Sequence, residues 1–454
     1  MLVIFERLLF LRRLVRGDAY SCFQGIANFF STLQEDIAIM LTLSGNRTIA
    51  HFDLDSFYVS VERKHNYSLI GKPVAVGGHS DRGVIASCSY EARKFGVRSA
   101  MPVRLARRLC PELMIIKGDM DRYSKESRYV TDIISDSVPI FEKSSIDEFY
   151  IDLTGMDKFF GCAQYTRELK KKIIALSRLS ISFGLSSSKL ISKVATNEGK
   201  PNGKMEVVKG GEKKFLAPLH IEKLPMIGQK TSELLRSMGV ETIDVLSQIP
   251  MEMMMNLLGK NGIELWRRAN GIDETPIVPY HEQKSIGTEN TFETDTTDIG
   301  FLNQELVRMT EQIAFELRDN NKLTGCITVK LRYSDFQTIT RQAVIPYTCS
   351  DHLLLQHVKD LFGKLYDRRL LVRLIGVRFS HLVPGNYQIS LFEDTQETIR
   401  LYQAIDHIKH RFGETKLIRA AGGFFTSDKS KAPCISTVKQ ISAFGTARSA
   451  RRNS

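Results

Sequence analysis

The chain has 454 residues, 43% of them hydrophobic and 25% charged, which are ordinary globular values and suit two to four domains rather than one. Lys and Arg outnumber Asp and Glu by 63 to 51, an excess that favours a polyanionic partner, nucleic acid or anionic membrane, without choosing between them. The seven cysteines form no CxxC pair and no His/Cys cluster, and no apolar run reaches 18 residues, which excludes a disulfide frame, a zinc site and a membrane span.

The first 17 residues, MLVIFERLLFLRRLVRG, form a basic amphipathic segment with Glu6 as its one acid, lacking the uninterrupted apolar region of a secretory signal. They fit a surface or partner helix, a transit-like peptide, or a dispensable extension whose true start is Met40. Organised patterning begins near Arg47. TIAHFDLDSFYVSVE (48–62) reads as a strand running into a helix, and GKPVAVGG (71–78) as a short strand between turns. GVIASCSY (83–90) is a second strand, leading into a basic helical stretch. Strands return at SIDEFYIDL (145–153) and SISFGL (180–185), with a Lys/Arg-rich helix over 164–178 between them. This alternation predicts an α+β half.

Residues 221–272 are helical with Pro/Gly punctuation, and PIVPYHEQ (276–283) marks a boundary. Beyond it TGCITVKLRYSD (324–335) alternates, with Ile327, Val329, Leu331 and Tyr333 on one face and Thr328, Lys330, Arg332 and Ser334 on the other. That is a half-buried antiparallel strand whose wet face carries cations. LLVRLIGVRFSHL (370–382), with Arg373 and Arg378, is its expected partner. From Pro384 short helices and polar runs are expected, ending in a disordered Ser/Lys/Arg-rich tail from 427.

Acidic residues sit at strand ends: Asp53 and Asp55 in one segment, Asp147 and Glu148 in another. Carboxylates gathered from distant segments repel unless cations neutralise them, and hard oxygen donors suit Mg²⁺. Periodicity alone pairs Asp53 with Asp55 on one strand face and sets Asp147 and Glu148 on opposite faces, so an exposed turn remains an open reading of the second pair.

The segments HFDLDSFYVSVE (51–62), IASCSYEARKFGVRSAMP (85–102), SSIDEFYIDLTG (144–155), SFGLSSSKLISKVATNEGKPNG (182–203) and KLPMIGQKTSELLRSMGV (223–240) occur in this order. Together they resemble the bacterial and archaeal Y-family (lesion-bypass) DNA polymerases of the DinB type, over roughly residues 48–383. The resemblance implies a multidomain α+β right-hand polymerase. Its parts would be an N-terminal extension (1–47), palm (48–64 and 119–207), fingers (65–118), a helix-hairpin-helix thumb (208–275), a linker (276–283), an α/β little finger (284–383) and a tail (384–454).

By the same resemblance Asp53, Asp147, Glu148 and the carbonyl of Leu54 hold two Mg²⁺ ions, with Mn²⁺ able to substitute, while Asp55 is structural. Tyr58 matches the steric gate that excludes a ribose 2′-hydroxyl, and Tyr90, Arg93 and Lys200 match triphosphate contacts. GKPNG (199–203) lacks P-loop spacing and reads as a turn displaying Lys200. LPMIG (224–228) resembles the thumb hairpin, where Gly228 and Lys230 would meet a DNA phosphate without reading sequence. Lys330, Arg332, Arg373 and Arg378 would line the duplex backbone.

QISLF (388–392) resembles a bacterial sliding-clamp peptide, with Gln388 hydrogen-bonding and Leu391 and Phe392 filling an apolar pocket. The expected activity is therefore low-fidelity translesion synthesis by a monomeric, cytoplasmic, nucleoid-associated bacterial enzyme. It would act on primer-template DNA and deoxynucleoside triphosphates, with no membrane partner. A non-catalytic clamp- and DNA-binding accessory and a nucleotidyl cyclase are the rivals. Intact ligand positions argue against the first, and the thumb and little-finger segments against the second.

Overall fold

A computed structural model describes residues 47–423, apart from 79, 81, 157–160, 368–369, 386–394 and 414–415. Residues 1–46, the clamp-like pentapeptide at 388–392 and the tail from 424 thus lie outside the described residues. The strands, in chain order, are β1 Ile49–Leu54, β2 Val74–Gly77, β3 Ile85–Cys88, β4 Met114–Ile116, β5 Phe141–Lys143 and β6 Glu148–Asp152. There follow β7 Ile181–Ser186, β8 Lys204–Glu206, β9 Ser285–Thr296, β10 Lys322–Tyr333, β11 Thr338–Thr348 and β12 Val372–Pro384. The chain folds as two compact units, one of residues up to 70 with 119–279 and the other of 71–118 with those from 280 onward.

The first unit is built on a five-stranded sheet in the order β5-β6-β1-β7-β8. β1 sits at its centre, and all of its residues are buried. It pairs antiparallel with β6, setting Asp53 opposite Glu148, and antiparallel with β7, setting Leu54 opposite Ile181. The helix Lys189–Gly199 lies on β7 and β1. Its approach requires glycine at 184, where a Cβ would stand 2.2 Å from the Ser192 carbonyl oxygen.

The same helix contributes Leu190, Ile191, Val194 and Ala195 to the core of the helical segment that follows. That segment comprises Gln229–Ser237, Ile243–Gln248, Met251–Leu258 and Lys260–Ala269, all helices as expected for 221–272. Two carboxylates, half-buried Asp273 and buried Glu142, tie its exit to the rest of the unit. Asp273 accepts from Leu190 N (2.8 Å), and Glu142 accepts from Lys189 Nζ (2.8 and 2.7 Å) and Val278 N (2.8 Å).

The second unit holds a three-stranded sheet, β3-β2-β4, and a four-stranded antiparallel sheet, β11-β10-β12-β9. Ile327, Val329, Leu331 and Tyr333 of β10 are fully buried against the helices Ile299–Asp319 and Asp351–Leu365, as their alternation predicts. Its opposite face is less open than expected: Lys330 pairs with Glu289 (2.6 Å), and Arg332 Nε donates to Thr338 Oγ1 (2.8 Å).

The expectation of short helices and polar runs after Pro384 is corrected by an 18-residue helix, Thr395–Phe412. It docks on the helix Ile299–Asp319 because Arg318 of that helix, whose side chain is 4% exposed, needs counter-charges inside the fold. Asp351 supplies one from its own helix, and Asp406 supplies the other from the docked helix (2.7 Å). Tyr402 packs beneath the guanidinium, 4.9 Å from ring centroid to Cζ.

Candidate active site

The middle of the first unit's sheet gathers the acids that the sequence holds 94 residues apart. Asp53 is the last residue but one of β1, and its register partner Glu148 opens β6. Asp147 precedes Glu148, and its carbonyl accepts from Leu54 N (3.1 Å), so backbone pairing alone fixes all three acids beside Leu54. Asp55 is not a strand neighbour of Asp53, because β1 ends at Leu54 and Ser56 turns the chain with φ 44°. The Asp55 carboxylate instead accepts from Ser180 Oγ (2.6 Å), Ser182 Oγ (2.8 Å) and Asn202 N (2.8 Å).

Burial pushes the Asp53 carboxyl up to about 7, with Lys200 opposing and the charges of Asp147 and Glu148 adding to the rise. Burial likewise raises Asp147, opposed by the Ser145 hydroxyl, which donates to Oδ1 (2.6 Å). Lysines balance this negative field. Lys200 Nζ lies 2.6 Å from Asp53 Oδ2, and Lys193 Nζ lies 2.6 Å from Glu148 Oε2. Among the described residues no three His, Cys, Asp or Glu side chains gather into a closed metal cage.

The oxygen-only donor set still fits Mg²⁺, which takes one or two carboxylates and completes its shell with water and phosphate. Asp53 shows the strain such a cation would relieve: it is a buried carboxyl whose ionisation is opposed by two nearby negative charges.

Sequence patterning missed two residues here. Lys193 stands four positions after Lys189 on the helix Lys189–Gly199, a spacing that puts both lysines on one helix face and could have flagged it. His51, two before Asp53, is fully buried. Its Nδ1 lies 2.8 Å from Thr196 Oγ1, whose own proton goes to the carbonyls of His51 (3.0 Å) or Ser192 (2.8 Å). Nδ1 thus shares a hydrogen bond with Thr196, and Nε2 faces Glu148 Oε2 at 4.0 Å. Burial, and then the charges of Lys193, Lys200 and Lys189, hold this histidine neutral well below its usual range.

Tyr58 projects from the helix Phe57–His65. Burial, and then the Asp147 charge, raise its phenol, so Tyr58 and Asp147 share one environment. Its ring stacks on fully buried Tyr123 (4.4 Å between centroids, 19° between planes). The Tyr123 hydroxyl donates to Glu62 Oε1 (2.7 Å), fixing the backing ring in turn.

Tyr90 and Arg93 lie in the second unit on the helix Tyr90–Lys94, with the Arg93 guanidinium 4.6 Å above the Tyr90 ring. Gly228 caps the helix Gln229–Ser237 and is exposed, as is Lys230. Glu222 and Glu233 also border that surface, with Glu222 neutralised by Arg236 (3.0 Å). Arg378 is exposed on β12, whereas Arg373 lies over the Phe336 ring (4.5 Å).

Residues 52–197 match the impB/mucB/samB family, and residues 283–391 match that family's C-terminal domain. DNA polymerase IV of Dehalococcoides mccartyi is 37% identical over 371 residues, covering 81% of this chain and 95% of the relative. DNA polymerase IV of Halorhodospira halophila is 36% identical over 349 residues, covering 76% and 98%.

Among solved structures, a Y-family DNA polymerase chimera of Dbh and Dpo4 superposes with a TM-score of 0.68 at 25% identity, over 74% of this chain and 100% of its own. DinB from Sulfolobus solfataricus, at 23% identity and a TM-score of 0.53 over 74% of this chain and 100% of its own, shares the fold.

Fold and relatives together define a DNA-directed DNA polymerase, an α+β multidomain enzyme. Within that class the chain belongs to the impB/mucB/samB family, the Y-family DNA polymerases of the DNA polymerase IV type.

Proposed function

We propose that this polymerase extends a primer 3′ end by two-metal phosphoryl transfer, with Asp53, the Leu54 carbonyl, Asp147 and Glu148 as the ligands of two Mg²⁺ ions. The observation that supports it best is the register of β1 and β6, which sets Asp53 opposite Glu148 and beside Asp147, all within reach of two lysines. Bound at these oxygens, the cations supply a lowered pKa for the primer hydroxyl and neutralise charge on the triphosphate and departing pyrophosphate.

The chain's own residues do the rest. Lys200 and Lys193 pair with Asp53 and Glu148 (both 2.6 Å), and cations bound at those oxygens would leave both lysines free for other anions. Lys200 then becomes a point charge for the triphosphate, joined by Tyr90 and the bidentate fork of Arg93. Tyr58 lies under the incoming sugar and fills the volume of a ribose 2′-hydroxyl. Gly228, Lys230, Lys330, Arg332, Arg373 and Arg378 contact the DNA backbone without reading its sequence.

The biological role is low-fidelity translesion synthesis in DNA repair, by a cytoplasmic, nucleoid-associated monomer. Gln388, Leu391 and Phe392 attach it to a bacterial sliding clamp. Among the described residues no helix is long and apolar enough to cross a membrane.

A primer-extension assay with Mg²⁺ tests the chemistry. Asp147→Ala is expected to extend at least about a hundredfold more slowly than the native chain, the scale of losing a principal electrostatic stabiliser. Equal extension by both proteins, or none by the native one, would refute the mechanism.

A further inference from the structure

Asp55 is 2% exposed, and a buried carboxylate is tolerated only where donors surround it. Its donors come from different segments. Ser180 Oγ binds Oδ2 (2.6 Å) and Ser182 Oγ binds Oδ1 (2.8 Å), both from β7 or its leading edge. Asn202 N binds Oδ2 (2.8 Å) from the turn that begins at Lys200.

That turn has further constraints. Gly203 N donates to the same Ser182 hydroxyl (3.0 Å), and Lys170 Nζ donates to the carbonyls of Asn202 (2.7 Å) and Gly203 (3.0 Å). Asn202 is left-handed at φ 49°, a turn conformation that asparagine adopts more readily than most side-chain-bearing residues. A Cβ on Gly203 would stand 1.6 Å from the Gly199 carbonyl oxygen, so the turn is closed to any larger residue.

Asp53 and Asp55 leave the same strand end, two residues apart. Lys200 and Asn202 leave the same turn, also two residues apart. Each pair is bonded to the other: Lys200 to Asp53 (2.6 Å) and Asn202 to Asp55 (2.8 Å). The first contact must break when Lys200 moves to a ligand, whereas the second involves neither the lysine nor the acid it pairs with.

We infer that Asp55 is a positioning residue: it holds the 200–203 turn against the end of β1 so that Lys200 stays within reach of the incoming triphosphate, and thereby sets nucleotide affinity. This rests on the reading of Lys200 as a triphosphate contact.

Single-nucleotide insertion on an undamaged primer-template tests both, using the full chain. Asp55→Asn keeps the size and one carbonyl acceptor but turns an amide N–H toward the donors. It is expected to raise KM for the deoxynucleotide about tenfold, the scale of weakening one charge-assisted hydrogen bond, and to change kcat by no more than about twofold. Lys200→Ala should raise KM at least as far. The double variant should be no worse than Lys200→Ala alone, because a misplaced turn matters only while it carries the lysine.

Binding of the nucleotide to the enzyme–DNA complex, followed by fluorescence without turnover, should show the same pattern. Should Asp55→Asn not fold, Ser180→Ala removes one donor only and is expected to raise KM about threefold, with Ser180→Thr restoring it. An unchanged KM in a folded Asp55→Asn or Ser180→Ala protein, or additive losses in the double variant, overturns the inference while leaving the Lys200 reading intact. An unchanged KM in Lys200→Ala overturns both.

Discussion

Sugar selection offers a sharp quantitative test, because the ring of Tyr58, the proposed gate, is held by a second ring rather than by its own backbone alone. Tyr58 stacks on Tyr123 with centroids 4.4 Å apart and planes 19° apart, and Tyr123 is anchored through its hydroxyl to Glu62 (2.7 Å). Glu62 is itself buried and paired with Arg122 (3.3 Å). A stacked aromatic pair contributes about 0.5–1.5 kcal/mol beyond area burial. If that energy holds Tyr58 in its excluding position, Tyr123→Leu should lower the preference for deoxyribonucleotides over ribonucleotides by about two- to tenfold.

Tyr58→Ala, which empties the volume outright, should abolish most of that preference. Tyr123→Phe keeps the ring, so selectivity should stay within about twofold, while stability falls by about 1–3 kcal/mol as Glu62 loses a buried donor. The assay is single-nucleotide insertion with matched ribo- and deoxyribonucleotides, comparing kcat/KM ratios. Unchanged selectivity in Tyr58→Ala refutes the gate. Unchanged selectivity in a folded Tyr123→Leu, with the gate confirmed, refutes the support argument.

Three further outcomes are expected. Lys143 donates to Ser127 Oγ (2.7 Å) and Thr131 Oγ1 (2.8 Å), and burial pulls its pKa down to about 8. A lysine lowered on folding binds fewer protons in the native state, so its penalty is full below about pH 8 and disappears as pH rises toward the unfolded value near 10.5. Lys143→Met should therefore raise stability at pH 7 by about 1–3 kcal/mol in chemical denaturation, after allowance for its partial exposure, with the gain shrinking to nothing near pH 10. A gain independent of pH would contradict this cause.

Gly203→Ala places a Cβ 1.6 Å from the Gly199 carbonyl oxygen and should destabilise the protein by at least about 2 kcal/mol, read as a lower thermal midpoint. An unaltered midpoint would show that the turn can yield. Deleting residues 388–392 should abolish binding to a sliding clamp and leave distributive synthesis nearly unchanged. Retained clamp affinity contradicts the peptide's assignment.

The sequence by itself determined which residues could do chemistry, through five ordered segments whose spacing a family keeps, and it determined the strands whose two faces differ. Ile327 to Tyr333 alternate because one side meets helices and the other does not, so period 2 is written in hydrophobicity. Patterning missed β9, because two of its buried positions are Thr288 and Asn290, polar residues that sit inside the fold. It missed β11 because that strand is mostly exposed. It shortened the helix Thr395–Phe412 because what docks that helix is an ion pair with Arg318, 88 residues away, rather than an apolar stripe.

The active site divides in the same way. Local spacing allied Asp53 with Asp55, whereas antiparallel register allied Asp53 with Glu148 and sent Asp55 to the serines and the Lys200 turn. Side-chain identity is a local property, but which carboxylates share an electric field depends on strand pairing between distant segments. Tertiary structure alone could therefore decide which acid meets cations and which one holds the turn.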